Sequence, residues 1–126
     1  MTTASIASTA YRAEIRNGRH ALTADEPLNP GGGDAGPTPD ELLEAALASC
    51  TAITLRMYAN RKEWPVTEIN EAVNLERKDD KTIFTRNIQV EGTLDEAQKE
   101  RLLQVAKACP VSKTLSGAID ISTQIV

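Results

Sequence analysis

Two cysteines are the residues of this chain best suited to nucleophilic chemistry. Cys50 lies in LASCTAITLR, Cys109 lies in KACPVSKTL, and the chain has no other cysteine. Their separation fits neither a CxxC redox motif nor a zinc ribbon. In a reducing cytoplasm, where structural disulfides are rare, we interpret them as either inert buried thiols or redox-active ones.

Each thiol has an unreactive interpretation. The helical neighbours predicted for Cys50 are almost all apolar, and an apolar setting raises the pKa of a thiol unless a cation or a dipole opposes it. Cys109 precedes Pro110 at the predicted end of a helix, where the dipole is negative and disfavours a thiolate. On this reasoning Cys109 is the poorer nucleophile, and a reactive Cys50 needs a cation supplied from elsewhere in the fold.

Other kinds of catalytic or binding site have fewer candidate residues. His20 is the only histidine, so the chain offers a weak Cys–His dyad and too few ligands for a structural zinc site. The glycines at 31–33 precede a helix, but neither a G-x-x-x-x-G-K-[ST] motif nor a G-x-G-x-x-G motif after a strand is present. Ser112 and Lys113 fit a capped turn better than a Ser–Lys nucleophile. We expect neither a metal nor a cofactor.

Size and composition favour one globular domain over residues 1–126. Hydrophobic residues make up 40% of the chain and charged residues 25%, which is typical of folded proteins. The net charge is −4 and both signs are interspersed, so a nucleic-acid interface is not indicated. No apolar run approaches the ~18 residues of a spanning helix, and no signal peptide is recognisable. We expect a soluble cytoplasmic protein with no membrane or nucleic-acid partner.

The N-terminal part of the chain is predicted to form a hairpin followed by a long loop. Residues 10–16 alternate apolar and polar side chains, Asn17-Gly18 is a strong signal for a tight turn, and residues 20–24 form the returning strand. Residues 25–37 contain three prolines and four glycines, too many for a regular element. This loop leads into the strongest helix signal of the chain.

That helix signal begins at Thr38. Thr38 is the predicted N-cap, Pro39 is the first helical residue, and Glu41 completes a capping box with Thr38. Asp40 and Glu41 also suit the positive end of the helix dipole. Over residues 42–58 the helix is apolar on nearly every side, so we expect it to be buried on most faces as the central element of the fold.

A second hairpin is predicted after Trp64-Pro65 ends the helix. Residues 66–76 and 82–91 alternate as its two strands, and the charged residues 78–81 form the turn between them. The apolar residues that share one face are Ile69, Val73 and Leu75 on the first strand and Phe84, Ile88 and Val90 on the second.

A second helix and a closing strand complete the prediction. Asp95 or Thr93 caps the helix, and its apolar stripe ends on Cys109. Residues 118–126 alternate around three isoleucines and are predicted as a strand. Hairpin strands with separate helices indicate an α+β fold. Because the long helix is apolar and aromatic residues are only 3% of the chain, we expect a second copy to complete the core in an obligate dimer.

Two motifs together resemble the OsmC/Ohr family of peroxide-handling proteins. The first is a [ST]-P-x-E-L-L helix start followed by A-x-C, present as GPTPDELLEAALASC. The second is C-P-x-[SH]-x-T-L, present as CPVSKTL, and the order of elements matches over nearly the whole chain. The resemblance implies the OsmC-like α+β fold, in which antiparallel sheets wrap around a long central helix. It also implies an intertwined homodimer with two active sites at the subunit interface.

The resemblance further implies a two-cysteine hydroperoxide reductase that acts in the response to oxidative or osmotic stress. Cys50 is then the peroxidatic residue, oxidised by an organic hydroperoxide to a sulfenic acid. Cys109 is the resolving residue, which condenses with that sulfenic acid to a disulfide. An external dithiol reduces the disulfide and resets the enzyme.

The residues expected to tune the thiolate depart from the family pattern. The organic-hydroperoxide branch has a glutamate at the position of Asp40 and an arginine in the N-terminal sheet that pairs with the thiolate. In this chain Asp40 or Glu41 takes the acidic role, and Arg19 is the best positional match for the arginine, followed by Arg12 and Arg16. The chain thus resembles a general OsmC-like branch more than the organic-hydroperoxide branch.

A second hypothesis comes from a different class of protein. The apolar neighbours of Cys50, and the lack of an arginine that aligns with the family pattern, also fit a non-catalytic dimer. Such a dimer binds a small apolar ligand and keeps its thiols buried and inert. A thiol pKa above the ordinary value of about 8.5 favours this hypothesis over catalysis.

Overall fold

The computed structural model describes all 126 residues of the chain. Its elements in chain order are β1 (Thr3–Ile6), β2 (Ala13–Asn17), β3 (His20–Ala24), α1 (Pro39–Lys62), β4 (Val66–Lys78), β5 (Lys81–Gly92), α2 (Glu96–Lys107) and α3 (Pro110–Ser116). They form a three-stranded antiparallel sheet, β1-β2-β3, and a two-stranded antiparallel hairpin, β4-β5. The predicted α+β class is confirmed. The chain divides into two compact units, Met1–Glu44 and Ala45–Val126, and a single domain over residues 1–126 stays a prediction.

The first unit is built on the predicted N-terminal hairpin. Asn17 pairs with His20, and Gly18 closes the turn at a φ of 58°, a backbone conformation that favours glycine. The Asn-Gly turn is therefore confirmed. Strand β1 is not recognisable from the sequence because its four residues are all exposed. It forms because it pairs with β2, from Thr3 opposite Arg16 onwards.

A buried aspartate organises the glycine-rich loop that follows β3. Asp25 is 2% exposed, and its carboxylate accepts hydrogen bonds from the backbone N–H groups of Glu26 (2.7 Å), Gly33 (3.2 Å) and Ala35 (3.2 Å). The bond from Glu26 is the main reason that the pKa of Asp25 is lowered, and those from Ala35 and Gly33 add to it against the opposing effect of burial. One carboxylate thus holds a loop that has no regular secondary structure.

Helix α1 begins and ends where the sequence predicts. Thr38 Oγ1 accepts a hydrogen bond from the Glu41 N–H (3.2 Å), and Glu41 Oε1 accepts one from the Thr38 N–H (3.4 Å). This reciprocal pair confirms the capping box. At the other end Glu63 adopts a positive φ of 56°, and the chain leaves the helix before Trp64-Pro65.

Helix α1 is less buried than the sequence predicts. Its buried side chains are Leu47, Thr51, Leu55, Tyr58 and Ala59. In contrast, Ile53 is 54% exposed and Met57 is 68% exposed, so one apolar face is uncovered in the single chain. By length and mean hydropathy (1.2) α1 could also cross a membrane, which is a weak indication because core helices of soluble proteins share these properties.

The core of the second unit explains which face of α1 is covered. Its buried cluster is Leu55, Tyr58, Leu102 and Ala106, against which Trp64, Ile69, Ile88, Val90, Leu94 and Val105 pack. The partners of α1 in this core are therefore α2 and the inward face of the β4–β5 hairpin. Removal of these side chains from water is the main favourable contribution to the stability of the unit.

The β4–β5 hairpin turns two charged side chains toward the interior. Its register pairs Val73 with Arg86 and Glu71 with Ile88, so Glu71 and Arg86 lie on the same face as diagonal neighbours. Both are half-buried, whereas the residues that alternate with them are exposed. The two predicted strands are confirmed and are slightly longer than predicted.

The junction between α2 and α3 corrects the predicted setting of Cys109. Asp95 caps α2 through a capping box with Gln98, and Ala108 is the C-cap of α2. Cys109 is then the N-cap residue of α3, a short helix that begins at Pro110. Proline is favoured at the first helical position, so the residue that ends one helix also starts the next. Because Cys109 lies at the start of a helix as well as just past the end of one, the dipole argument against a thiolate no longer holds.

The predicted closing strand is absent. Residues 118–126 form no regular element, and Ile119, Ile121 and Ile125 are 56%, 85% and 101% exposed. A strand needs a neighbour to share its backbone hydrogen bonds, and no strand of the chain pairs with this segment. Alternation of apolar residues is therefore not sufficient to form a strand here.

Candidate functional site

The two cysteines, distant in sequence, lie side by side in the second unit. Helix α1 carries Cys50 and Thr51, and the α2–α3 junction brings Cys109 Sγ to 3.5 Å from Thr51 Oγ1. Cys50 directly precedes Thr51, the residue that contacts Cys109, and both cysteines are free. Cys109 is fully buried whereas Cys50 is half-buried. A small molecule arriving from solvent therefore reaches Cys50 more readily.

The hydroxyl group of Thr51 connects the helix, the thiol and a strand. Its Oγ1 donates to the Leu47 carbonyl oxygen (2.8 Å) and accepts from Arg86 Nη1 (3.0 Å). In the contact with Cys109 Sγ either atom can be the donor. The hydroxyl hydrogen can thus turn from Leu47 toward a thiolate when one forms, because a hydroxyl rotates to suit its acceptor.

Arg86 places a positive charge next to the thiols. Its Nη1 donates to Thr51 Oγ1 and to the Ala106 carbonyl oxygen, both at 3.0 Å. The same nitrogen lies 3.9 Å from Cys109 Sγ, and Nη2 donates to Ser112 Oγ at 3.4 Å. These contacts with α1, α2 and α3 fix the guanidinium in a half-buried position. A fixed cation at this distance favours the ionised form of a thiol.

The thiol of Cys109 ionises more readily than burial alone would allow. Burial raises the pKa of Cys109 and is the largest single effect. The Thr51 hydroxyl, the Ser112 N–H, the Cys50 thiol and the Arg86 charge act in the opposite direction, and together they bring the pKa below its ordinary value. The Ser112 N–H favours the thiolate from the first turn of α3, although Cys109 makes no capping hydrogen bond with its side chain.

Glu71 is a buried carboxyl group beside this cluster. Both of its side-chain oxygens are buried and have no hydrogen-bond partner. Burial raises the pKa of Glu71, and the Arg86 charge opposes that rise without cancelling it. Burial of a carboxylate without hydrogen bonds is costly, and this cost is the cause of the raised pKa.

A cavity of about 290 Å³ opens beside Arg86. Its lining residues are Leu47, Thr82, Phe84, Arg86, Ser112, Leu115 and Ser116. The wall combines one cation and several hydroxyl groups with three large apolar side chains. This combination suits a small molecule that has both a polar and an apolar part.

Three of the predicted site residues belong to the first unit. Arg19 is exposed in the turn between β2 and β3, and Asp40 is half-buried in the first turn of α1. Glu41 is engaged in the capping box with Thr38. Their participation in thiol chemistry stays a prediction. The arginine that contacts the thiol site is Arg86, which the sequence-based site does not contain.

Arg86 and Glu71 were missed although the sequence pattern holds a signal for both. Each lies between two apolar residues at an inward-facing position of a predicted strand. Arginine and glutamate are rarely buried in proteins unless they are paired or functional. A charged residue that interrupts the apolar face of a strand is therefore a candidate site residue, even when no motif marks it.

A protein-family model described as OsmC-like protein matches residues 31–124 of the chain. The matched range contains both cysteine motifs and every element from α1 to α3. No curated protein sequence matches the chain significantly.

Solved structures share the fold at low sequence identity. The OsmC-like protein from Mycoplasma pneumoniae is 21% identical with a TM-score of 0.79, over 93% of this chain and 86% of that chain. The organic hydroperoxide resistance protein OhrB of Bacillus subtilis is 23% identical with a TM-score of 0.66, over 95% and 92% of the two chains. An organic hydroperoxide resistance protein from Legionella pneumophila is 22% identical with a TM-score of 0.65, over 93% and 88%. At these identities the likeness establishes the fold.

Proposed function

The chain belongs to the OsmC-like protein family, and we propose that it is a thiol-dependent peroxidase that reduces organic hydroperoxides through Cys50 and Cys109. One observation carries the proposal: the two thiols adjoin a fixed guanidinium and a hydroxyl, those of Arg86 and Thr51, and the pKa of Cys109 is lowered despite its burial. Two of the similar structures are organic hydroperoxide resistance proteins by name, which supports the same substrate class and a role in oxidative stress.

Cys50 is the proposed attacking residue and Cys109 the resolving one. Cys50 is half-buried and Cys109 is 0% exposed, so a hydroperoxide reaches Cys50 more readily. Thr51 follows Cys50 directly on α1 and accepts a hydrogen bond from Arg86, so the proposed attack by Cys50 takes place beside the same guanidinium.

The proposed reaction has three steps: attack on the peroxide, formation of the disulfide and reduction of the disulfide. The Cys50 thiolate attacks the terminal peroxide oxygen, the O–O bond breaks, and the alkoxide leaves and takes up a proton to become an alcohol. Cys50 is then a sulfenic acid, and the two electrons it lost have reduced the peroxide. The Cys109 thiolate attacks the sulfenic sulfur, a disulfide forms, and hydroxide leaves and is protonated to water. An external dithiol reduces the disulfide by thiol–disulfide exchange.

The cavity beside Arg86 is the proposed binding site for the organic part of the substrate. Leu47, Phe84 and Leu115 offer apolar contacts, while Arg86 and Ser112 offer hydrogen bonds near the thiols. Its volume of about 290 Å³ is at the lower end of the range for ligand pockets, roughly 300–1,000 Å³. Compact hydroperoxides are therefore expected to react better than bulky ones.

The proposed assembly is a cytoplasmic homodimer without a membrane or nucleic-acid partner. Ile53 and Met57 lie one turn apart on α1 and are 54% and 68% exposed. Contact with a second copy would remove these side chains from water, which favours association. The same contact could cover the exposed isoleucines of residues 118–126 and supply the strand neighbour that this segment lacks in a single chain.

A second candidate function is the binding of a small apolar ligand without thiol chemistry. A separate cavity of about 190 Å³ favours it, and its lining residues are Leu55, Ile88, Val90, Lys99, Leu102 and Leu103. Arg86, the residue that contacts Cys109, does not line this cavity, so a ligand there would leave the thiol site untouched. The contact between Arg86 and Cys109 supplies a cation to the thiol site, which disfavours inert thiols.

Intact mass spectrometry after stoichiometric cumene hydroperoxide separates the two candidates. The wild type should lose the mass of two hydrogens as the disulfide forms. Cys109→Ser should hold an oxidised Cys50 that dimedone traps. Trapping only at Cys109, in a Cys50→Ser variant, would reverse the proposed roles. Thiols that stay unchanged in excess peroxide would contradict the peroxidase and leave ligand binding as the function.

A further inference from the structure

Glu71 is a buried acid near the thiols that has no role in the steps above. Both of its oxygens lack a hydrogen-bond partner, although buried polar groups in proteins are nearly always hydrogen-bonded. It lies on the same face of the hairpin as Arg86, as its diagonal neighbour across the strands. Burial of two polar oxygens without hydrogen bonds is destabilising, so a function of Glu71 would explain its position beside the thiols.

The charges of the cluster explain how Glu71 is accommodated. Arg86 contributes one positive charge, whereas Glu71 and the thiol pair together could contribute two negative charges. Ionising both acids would leave one buried charge uncompensated, which is unfavourable. When the thiol pair is ionised, Glu71 therefore keeps its proton. Burial acts in the same direction, since it raises the pKa of Glu71.

We propose that Glu71 is a further catalytic residue, the general acid that protonates the alkoxide released from the hydroperoxide. The proposal rests on the peroxidase function above and adds to it the source of the proton. Thr51 Oγ1 lies 3.5 Å from Cys109 Sγ and 3.0 Å from Arg86 Nη1, and Glu71 lies diagonally across the hairpin from Arg86 on the same inward face. A leaving oxygen held by Arg86 is thus in the same cluster as the carboxyl group.

Glu71 loses its proton and regains it during the proposed cycle. The thiolate attacks the terminal oxygen, the O–O bond breaks, and the alkoxide takes the proton of Glu71. The products of this step are an alcohol, a sulfenic acid on Cys50 and the Glu71 carboxylate. The Cys109 thiol then gives its proton to that carboxylate and attacks the sulfenic sulfur. The disulfide forms, and the departing hydroxide takes a proton from solvent to become water.

The pH dependence follows from the groups around Glu71. Arg86 on β5 favours the carboxylate, whereas ionised thiols of Cys50 on α1 and Cys109 at the α2–α3 junction favour the acid. The rate of peroxide reduction should rise with pH as the thiol pair ionises and fall at higher pH as Glu71 loses its proton. A reaction that needs one ionised and one protonated group has a bell-shaped pH profile.

Two oxidants with different leaving groups test the proposal in Glu71→Gln, which keeps the shape of the side chain but has no acidic proton. Cumene hydroperoxide releases a strongly basic alkoxide that needs protonation, whereas peracetic acid releases a weakly basic carboxylate that does not. The variant should lose about 10²–10⁴-fold in the rate of thiol oxidation by cumene hydroperoxide and keep the wild-type rate with peracetic acid. Glu76→Gln, an exposed position on the same strand, is the matched control and should keep both rates.

Equal loss with both oxidants, or loss with neither, would overturn the role of Glu71. The peracetic acid rate also reports whether the thiol site of the variant is intact. If Glu71→Gln does not fold, the wild type decides the question, because its rate with cumene hydroperoxide must fall again at high pH and a plateau would refute the acid. A wild type that reacts with neither oxidant would contradict the peroxidase function itself.

Discussion

Arg86 Nη1 donates a hydrogen bond of 3.0 Å to Thr51 Oγ1 and thereby joins strand β5 to helix α1 at the thiol pair. The Thr51 hydroxyl in turn lies 3.5 Å from Cys109 Sγ. A guanidinium and a hydroxyl that hold each other in place need little reorganisation when a thiolate forms beside them. The reactivity of both cysteines is therefore expected to depend on this one hydrogen-bonded pair.

Removal of the Arg86 charge should make the thiols less acidic. Arg86→Met keeps an unbranched apolar side chain but loses the cation, so the thiol pKa should rise. The rate with cumene hydroperoxide at neutral pH should fall by about tenfold or more, since a nearby opposite charge typically shifts a pKa by 1–3 units. Ultraviolet absorbance of the thiolate against pH measures the first effect, and stopped-flow kinetics the second.

Arg19→Met is the matched comparison for this prediction. Arg19 is the arginine that the family pattern selects, and it is exposed in the β2–β3 turn. We expect its replacement to leave both the thiol titration and the rate close to wild type. If Arg19→Met impairs the thiols and Arg86→Met does not, the sequence-based assignment is right and the role given to Arg86 is wrong.

The Thr51 hydroxyl should contribute to both reactivity and stability. Thr51→Val keeps the volume of the side chain but removes the acceptor of Arg86 Nη1 and the hydrogen-bond partner of Cys109. The thiol pKa should rise, and the free energy of unfolding in urea should fall by about 1–3 kcal/mol, the cost of leaving a buried polar group unsatisfied. Thr54→Val, a half-buried position on the same helix, should change neither. A Thr51→Val protein with wild-type titration and stability would contradict this role.

Local chemistry explains why much of the fold could be predicted. The capping box of Thr38 and Glu41, the turn at Asn17-Gly18 and the alternation of β4 and β5 all depend on residues a few positions apart. Such short-range patterns can be recognised in the sequence without knowledge of how the elements pack. The closing strand failed because its formation depends on a neighbouring strand, which alternation of apolar residues cannot provide.

The surroundings of the cysteines could not be predicted for the same physical reason. Motifs associate Cys50 with Cys109, and their joint chemistry stays a prediction; in the structure Thr51, the neighbour of Cys50, contacts Cys109. The setting of Cys109 depends on a second helix that starts at Pro110, and on Arg86, which reaches it from a strand of another supersecondary element. Contacts of this kind depend on how elements pack. Periodicity therefore predicts that Arg86 points inward, but not which residues its guanidinium contacts.

Acid should loosen the glycine-rich loop through Asp25. The hydrogen bond from the Glu26 N–H is foremost among those that lower the pKa of Asp25 below its ordinary value of 3.8. A group whose pKa is depressed in the folded state contributes stability above its unfolded pKa, and that contribution is lost as the pH falls through the folded value. The free energy of unfolding, followed by urea titration, should therefore decline on acidification below a pH of about 3.8.

Asp25→Asn isolates this contribution. The amide has one acceptor oxygen instead of two, so the variant should be less stable than wild type at neutral pH and lose less stability on acidification. Asp34→Asn, an exposed position in the same loop, should follow the wild-type curve. Identical acid slopes for Asp25→Asn and wild type would show that another carboxylate governs the transition.

The exposed face of α1 should decide the oligomeric state. Ile53→Glu places a charge on the apolar face where Ile53 and Met57 are 54% and 68% exposed, so it should convert the proposed dimer to a monomer without loss of helix content. Sedimentation velocity and circular dichroism measure the two quantities. Asn74→Glu, on the exposed face of β4, should remain dimeric. A wild type that sediments as a monomer would contradict the dimer.

The monomeric variant also tests whether one chain holds a complete thiol site. Cys50, Cys109, Thr51, Arg86 and Glu71 all belong to a single chain, and their contacts form without a partner. Ile53→Glu should therefore still form the disulfide with stoichiometric cumene hydroperoxide. If disulfide formation is lost together with the dimer while helix content is retained, the second copy contributes a residue that the thiol chemistry needs.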